Sequence, residues 1–302
     1  MKSKLYIGSA LLPFVLLLVS VACHKGDRHT DEEDQPQEAV LNASVVLSTS
    51  ATLCPNAPNY GDTILFTKPK NGGDFFADPV NNTGVKGTYL SWPDGLKINK
   101  NTGTINLSQS ETGVRYLVAF VKNGTTDTCV SELIIGGMTY LDKIYVMDQN
   151  DTLAKPIFNT DPFGPSICDA SDDTDYPGNN GNGNNRCAFD DAAPGSKAND
   201  QKLRVRTKSG IINLKKSLAD GMFNPNVKNG DFKMVNIQYQ LNDASNKATQ
   251  NVSVKVIYYD KATNIPTTLQ QEVNTKNNSM FSYQIVNGKP RPPLIIIAGL
   301  SR

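Results

Sequence analysis

The sequence predicts an all-β fold: two β-sandwich-like domains, the second with short helical turns, after an apolar N-terminal segment and a polar tether. Three observations carry this reading. Runs rich in β-branched and aromatic residues recur along the body, separated by Gly, Pro, Asn and Asp. The run Phe232 to Leu241 alternates cleanly, with Val235, Ile237, Tyr239 and Leu241 on one face. No long amphipathic helical pattern appears in the body, and no internal repeat is apparent. The expected boundaries are 1–22, 23–50, 51–137 and 138–302, with a disulfide-clipped Asp/Asn/Gly loop at 160–200. The roughly 260 residues beyond the tether suffice for two domains of ordinary size.

At the N-terminus, Lys2 and Lys4 precede the apolar run Leu5 to Val21, which Ser20-Val21-Ala22-Cys23 closes. Positive residues, an apolar stretch and small residues make a secretion signal. The run sits near the lower limit of about 17 residues for a membrane span, and Pro13 lies inside it. A retained membrane helix and free secretion after cleavage at Ala22 are the alternatives. The segment resembles a bacterial lipoprotein signal, with Cys23 as the lipidated first residue of the mature chain. Ser20 stands where that family usually has Leu, a relaxation common in the Bacteroidota. The resemblance implies attachment to the outer membrane, since a diacyl-type anchor supplies chains enough for stable insertion.

His24 to Glu38 is charged, with Asp31-Glu32-Glu33-Asp34 at its centre. Such a segment buries too little surface to offset its ordering entropy. Acidic runs after the lipidated Cys resemble the surface-export signals of Bacteroidota lipoproteins. A solvated spacer is the alternative.

In the body, Val114 to Val121 and Cys129 to Ile135 flank a turn-rich segment at Asn123 to Asp127, a hairpin signal. Tyr140 to Met147, Phe232 to Leu241, Asn251 to Tyr259, Met280 to Val286 and Leu294 to Ala298 read as further strands. Leu214 to Ala219 and Pro266 to Val273 read as short helical turns, the latter with Pro at an early position. Lys202 to Lys208 alternates basic with smaller residues and reads as the solvent face of a strand, or as a surface for an acidic glycan.

The chain has five Cys. With Cys23 lipidated, Cys54, Cys129, Cys168 and Cys187 form an even set that pairs in an oxidising envelope. Order and spacing favour Cys54 with Cys129 and Cys168 with Cys187. No CxxC or Cys/His spacing suits zinc.

The segment Trp92-Pro93-Asp94-Gly95-Leu96-Lys97-Ile98-Asn99-Lys100-Asn101-Thr102-Gly103-Thr104-Ile105, followed by Gly113, Tyr116 and Val118, resembles immunoglobulin-like and cadherin-like domains of bacterial surface proteins. The resemblance covers residues 60–136 and implies a β-sandwich in which Leu96, Ile98 and Ile105 face one core. Asp148-Gln149-Asn150-Asp151 is similar to a cadherin linker, which implies linker calcium or, in its absence, a plain loop. Asp62-Thr63-Ile64 and Asp151-Thr152-Leu153 resemble the Bacteroidota O-glycosylation motif.

Chemistry is sparse. Asp169, Asp172, Asp173 and Asp175 lie between Cys168 and Cys187, with Asp190 and Asp191 beyond. Oxygen ligands at this density suit Ca²⁺, although Pro177 and Asn184 break the EF-hand pattern. A polar loop clipped by a disulfide is the alternative. The only two histidines, His24 and His29, lie in the tether, and the body holds three Glu: Glu111, Glu132 and Glu272. His-based catalysis and His-ligated metals are thereby excluded. A near-neutral balance, +1, argues against a nucleic-acid partner. Trp92, Tyr60, Tyr89, Tyr258 and Tyr259 are the candidates for stacking on sugars.

These readings lead us to expect a non-catalytic surface lipoprotein of the cell envelope, a binding, structural or adhesion module with a glycan or protein partner. The alternatives are a glycan-binding accessory lipoprotein of a polysaccharide-uptake system and an Asp-based hydrolase. No cofactor is expected beyond the candidate calcium.

Overall fold

Two units divide the chain, Met1–Ser44 and Val45–Arg302. The computed structural model describes residues 54–126, 128–168, 187–281 and 292–299, all within the second unit. The fold is all-β with few helices.

The first six strands are β1 (Ile64–Leu65), β2 (Phe76–Ala77), β3 (Gly87–Trp92), β4 (Ile105–Asn106), β5 (Val114–Lys122) and β6 (Thr128–Ile135). A four-stranded sheet runs β1-β6-β5-β3, antiparallel except for β1 beside β6. The Asn123–Gly124 turn closes the β5–β6 hairpin, with Gly124 at φ +80°. One face of this sheet, carrying Tyr116, Val118, Leu133 and Ile135, packs on Leu96, Ile98 and Ile105 from the β2–β4 ribbon and its flank.

Past Gly137 come β7 (Met138–Tyr140), β8 (Lys143–Val146), β9 (Leu153–Ala154), β10 (Pro156–Phe158), β11 (Ala188–Phe189) and β12 (Ile212–Asn213). After them come α1 (Leu214–Ala219), β13 (Phe232–Gln240), β14 (Gln250–Tyr258), α2 (Thr267–Phe281) and β15 (Leu294–Ala298). The larger sheet runs β11-β13-β14-β15-β8. Val235, Ile237 and Tyr239 of β13 are buried on one face with Val254 and Val256 of β14, as their alternation requires. β15 is apolar throughout because both of its faces are covered. Ile295 and Ile297 join the main core, whereas Leu294, Ile296 and Ala298 pack with Leu269 and Val273 of α2.

Three elements differ from expectation. The strand read over Tyr140 to Met147 breaks at Asp142 into β7, which pairs with β10, and β8, which pairs with β15. Asp142 is buried there, and its Oδ1 accepts the Leu294 amide at 3.2 Å. The helical turn at Pro266 extends to 15 residues as α2. Among its described side chains the apolar ones are Leu269 and Val273, too thin a stripe to register as amphipathic, and tertiary packing on the sheet stabilises it. Met280, read as the start of a strand, falls inside α2, and 282–286 lie outside the described residues. β14, α2 and β15 thus form a βαβ crossover between adjacent parallel strands.

The structure also contains a repeat that the linear pattern hid. Leu96 to Leu107 reads Leu-Lys-Ile-Asn-Lys-Asn-Thr-Gly-Thr-Ile-Asn-Leu, and Leu203 to Leu214 reads Leu-Arg-Val-Arg-Thr-Lys-Ser-Gly-Ile-Ile-Asn-Leu. Both fold into the same hairpin. Asn106 N donates to Lys97 O at 2.8 Å, and Asn213 N to Arg204 O at 2.8 Å. Ile98 bridges Ile105, and Val205 bridges Ile212. Gly103 and Gly210 close the turns at φ +75° and +72°. A Cβ on either would lie 2.6 Å from an aromatic ring, Tyr89 of β3 or Phe189 of β11. The Ser110 hydroxyl accepts from Lys97 N and donates to Asn106 O; that of Ser217 accepts from Arg204 N and donates to Asn213 O. The Tyr60 hydroxyl donates to Gly103 O at 2.6 Å, and that of Tyr140 to Gly210 O at 2.6 Å. β2–β4 is matched by β9–β12. We refer to these as repeat 1 and repeat 2.

A polar hub joins them. The Tyr239 hydroxyl lies 2.6 Å from Thr112 Oγ1 of repeat 1, 2.8 Å from Gln250 Oε1 and 3.2 Å from the Met138 amide. Gly137 leaves room for this hub: a Cβ there would meet Tyr239 Oη, Gln250 Oε1 and Thr112 Cβ at 2.7 Å.

Candidate functional site

Cys23, Asp169, Asp172, Asp173 and Asp175 lie outside the described residues. Among the described residues, no group of three or more His, Cys, Asp or Glu side chains is placed to hold a metal ion. The body cysteines pair as Cys54–Cys129 and Cys168–Cys187, with Cα separations of 5.2 and 5.6 Å. The second closes a span of 19 residues, worth about 3 kcal/mol in the chain-entropy account.

Other acids serve the fold. The buried Asp190 carboxylate accepts from Ala198 N at 2.6 Å, Asn199 N at 2.9 Å and Asn199 Nδ2 at 2.7 Å, which pins the loop after β11. Burial pushes its pKa above the usual carboxylate range, and these donors offset part of that rise. In the linker-like segment, Asp151 pairs with Lys143 at 2.9 Å and Asp148 lies in a single 3₁₀ turn. The basic tract at 202–208 is one arm of the repeat 2 hairpin rather than a continuous strand. Leu203 and Val205 point inward, and Arg204 Nε donates to Asp220 Oδ2 at 2.5 Å.

The aromatic candidates do not form an exposed row. Tyr89, Tyr258 and Tyr259 are buried, and Tyr60 and Trp92 are half-buried.

An open groove of about 520 Å³ lies where β13 begins. Phe223, Asn224 and Asn226 line its loop side, and Asp231, Phe232 and Lys233 its strand side. The loop wall is well held. Val227 N donates to Asn224 O, Gly230 N to Tyr258 O, and Lys228 N to Asp231 Oδ2 at 2.9 Å. The Phe223 ring rests 5.7 Å from that of Tyr258. Phe232 and Lys233 are consecutive in a strand, so their side chains leave on opposite faces. A groove that touches both therefore runs along the strand's edge.

Phe232 is 54% exposed and Met234 47% exposed, on the face of β13 opposite the main core. Lys255 Nζ sits 4.2 Å from the Phe232 ring centroid, a cation–π contact. Lys233 and Asp231 are the charged residues of the lining, and the Asp231 carboxylate is already engaged by Lys228 N. The sequence reading passed over these residues. Its signal was Phe232-x-Met234, two large apolar side chains on the face that the alternation assigns to solvent.

No protein-family model matches this chain, and no curated protein matches it. The site must be read from its own geometry.

Proposed function

We propose that the chain is a non-catalytic binding module of the cell envelope, anchored through a lipid on Cys23 and displayed at the surface. The observation that carries the binding role is the groove beside β13. Its loop wall is a segment that repeat 2 adds to the common frame: Leu107 of repeat 1 is followed by β5 within seven residues, Leu214 by β13 only after eighteen. Its lining of amide, aromatic and charged side chains suits recognition, with no histidine in the body to act as a base. Lys2 and Lys4, the apolar run after them and Ala22-Cys23 support the anchor.

Glycan-array and pull-down screens on the mature body, with and without EDTA, test the binding role. Any partner found should be lost in a double Asp231→Ala, Phe232→Ala variant. Cell fractionation tests the anchor: Cys23→Ser should release the protein from membranes, and continued tight association rules out lipid attachment there.

A further inference from the structure

We propose that the free edge of β13 accepts an extended peptide of a partner protein as an added β-strand, with the groove loop as its outer wall. This rests on the reading of the groove as a binding site and names its ligand class.

The backbone directions follow from two hydrogen bonds. Asp231 O accepts from Tyr258 N, so the odd-numbered residues of β13 bond to β14. Gln238 O accepts from Asp190 N on the opposite side. By alternation the N–H and C=O groups of Phe232, Met234 and Asn236 point along that same outer edge. Among the described residues, β13 pairs with β14 and with the two residues of β11, at Tyr239 and Gln240. Among the described residues, these outward groups find no partner, and all three residues are exposed.

Repeat 1 carries a longer strand on the matching edge. There β3 pairs with six residues of β5, from Leu117 to Lys122, as an antiparallel strand. The ring under the turn glycine identifies β11 as the counterpart of β3, yet β11 pairs with two residues only. Tyr89 stands opposite Phe120 and Phe189 opposite Tyr239, so Leu117 to Lys122 match Asn236 to Leu241. Repeat 2 shortens the edge strand, and Phe232 to Val235 match Gly113 to Tyr116, which β3 also leaves unpaired. The open stretch from Phe232 to Asn236 spans roughly 14 Å at about 3.4 Å per residue. Natural edges are blunted by charge, bulges or cover; this one instead presents Phe232 and Met234 beside a walled groove.

Chemistry on the two faces sets the preference. A strand laid on this edge places alternate side chains beside Phe232 and Met234, which favour apolar partners. The intervening side chains fall beside Lys233, which favours an acidic one. Main-chain bonds to Phe232, Met234 and Asn236 supply affinity, and these pockets supply selectivity.

The test is selection from a display library of random twelve-residue peptides on the full mature chain. Enriched peptides should alternate apolar and polar residues, with an acid among the polar ones. In wild-type protein a bound peptide should slow amide hydrogen exchange at Phe232, Met234 and Asn236. Met234→Pro removes an outward donor without touching the β14 ladder, and should weaken binding at least ten-fold; Ser253→Ala, on β14, should not. Absence of enrichment, exchange protection elsewhere, or equal binding by a folded Met234→Pro overturns the proposal. So does a concentration-dependent dimer that Met234→Pro abolishes, which would give the edge to a second copy. Sugar binding that depends on Asp231, without peptide binding, overturns the peptide and keeps the binding role. Failure of both screens overturns both.

Discussion

Repeat 1 and repeat 2 share a hairpin down to single hydrogen bonds, yet they treat their edges differently. Repeat 1 is economical. Six residues separate Leu107 from β5, and β3 seals most of the exposed side of that strand. Repeat 2 interrupts the same frame with the span closed by Cys168–Cys187, the groove loop, and the α2–β15 crossover. The lesson is that a frame held by a few glycine, tyrosine and serine contacts tolerates long insertions, because loop closure grows costly only slowly with length. The insertions can then carry recognition while the frame stays fixed.

The comparison can be broken most forcefully at the turn glycines. Gly103→Val and Gly210→Val each force a branched side chain into positive φ and against a ring. Each should cost about 2–4 kcal/mol in chemical denaturation. A silent substitution at one position would show that the two hairpins are not equivalent.

Next comes the hub. Tyr239→Phe deprives Thr112, Gln250 and the Met138 amide of a common partner. We expect a loss of about 2–3 kcal/mol. Two resolved thermal transitions in the variant, against one in the wild type, would show that this hydroxyl couples the repeats.

The tyrosine clasps sharpen the comparison further. Tyr140 is fully buried and Tyr60 only half so. Tyr140→Phe should therefore cost about 1–3 kcal/mol, because Gly210 O is left unpaired away from water, whereas Tyr60→Phe should cost about 1 kcal/mol or less. Equal effects would contradict the difference in burial.

The smallest effect is one of pH. Asp74 of repeat 1 accepts from Asn106, Lys70 and Gln109, which hold its pKa down at about 2. A depressed carboxylate adds stability above its ordinary pKa and loses it as pH falls toward about 2. Asp190 of repeat 2 runs the other way: its raised pKa favours the fold in acid, and that benefit fades as pH rises through it. Asp74→Asn should flatten the acid limb of thermal midpoint against pH. An unchanged limb would mean that Asp74 contributes nothing there.

Much of this was legible locally. The β5–β6 hairpin, the alternation of β13, the turn at α1 and the apolar β15 are written in neighbouring residues, and the structure places each where the pattern does. What escaped was set by partners far away in the chain. α2 is mostly Asn, Thr, Gln and Lys, and is helical because Leu269 and Val273 meet the sheet. Asp142 ends a strand because the amide of Leu294 needs an acceptor. The repeat was overlooked because its identical residues are scattered, and its two tyrosines stand outside the matching segment. The groove was overlooked because Asn224 to Gly230 reads as a plain connection, and no local pattern says which edge of β13 stays open.

One strand has a bearing on the order of folding. β15 lies between β14 and β8 but follows every other described element in the chain. The described strand pairs of repeat 1 are all available once Gly136 has emerged. Repeat 2 holds a gap in its sheet until Leu294 to Ala298 arrive to join strands far back in the sequence. Non-local pairing of this kind is slow, so the half that carries the groove completes last, on a frame already standing beside it.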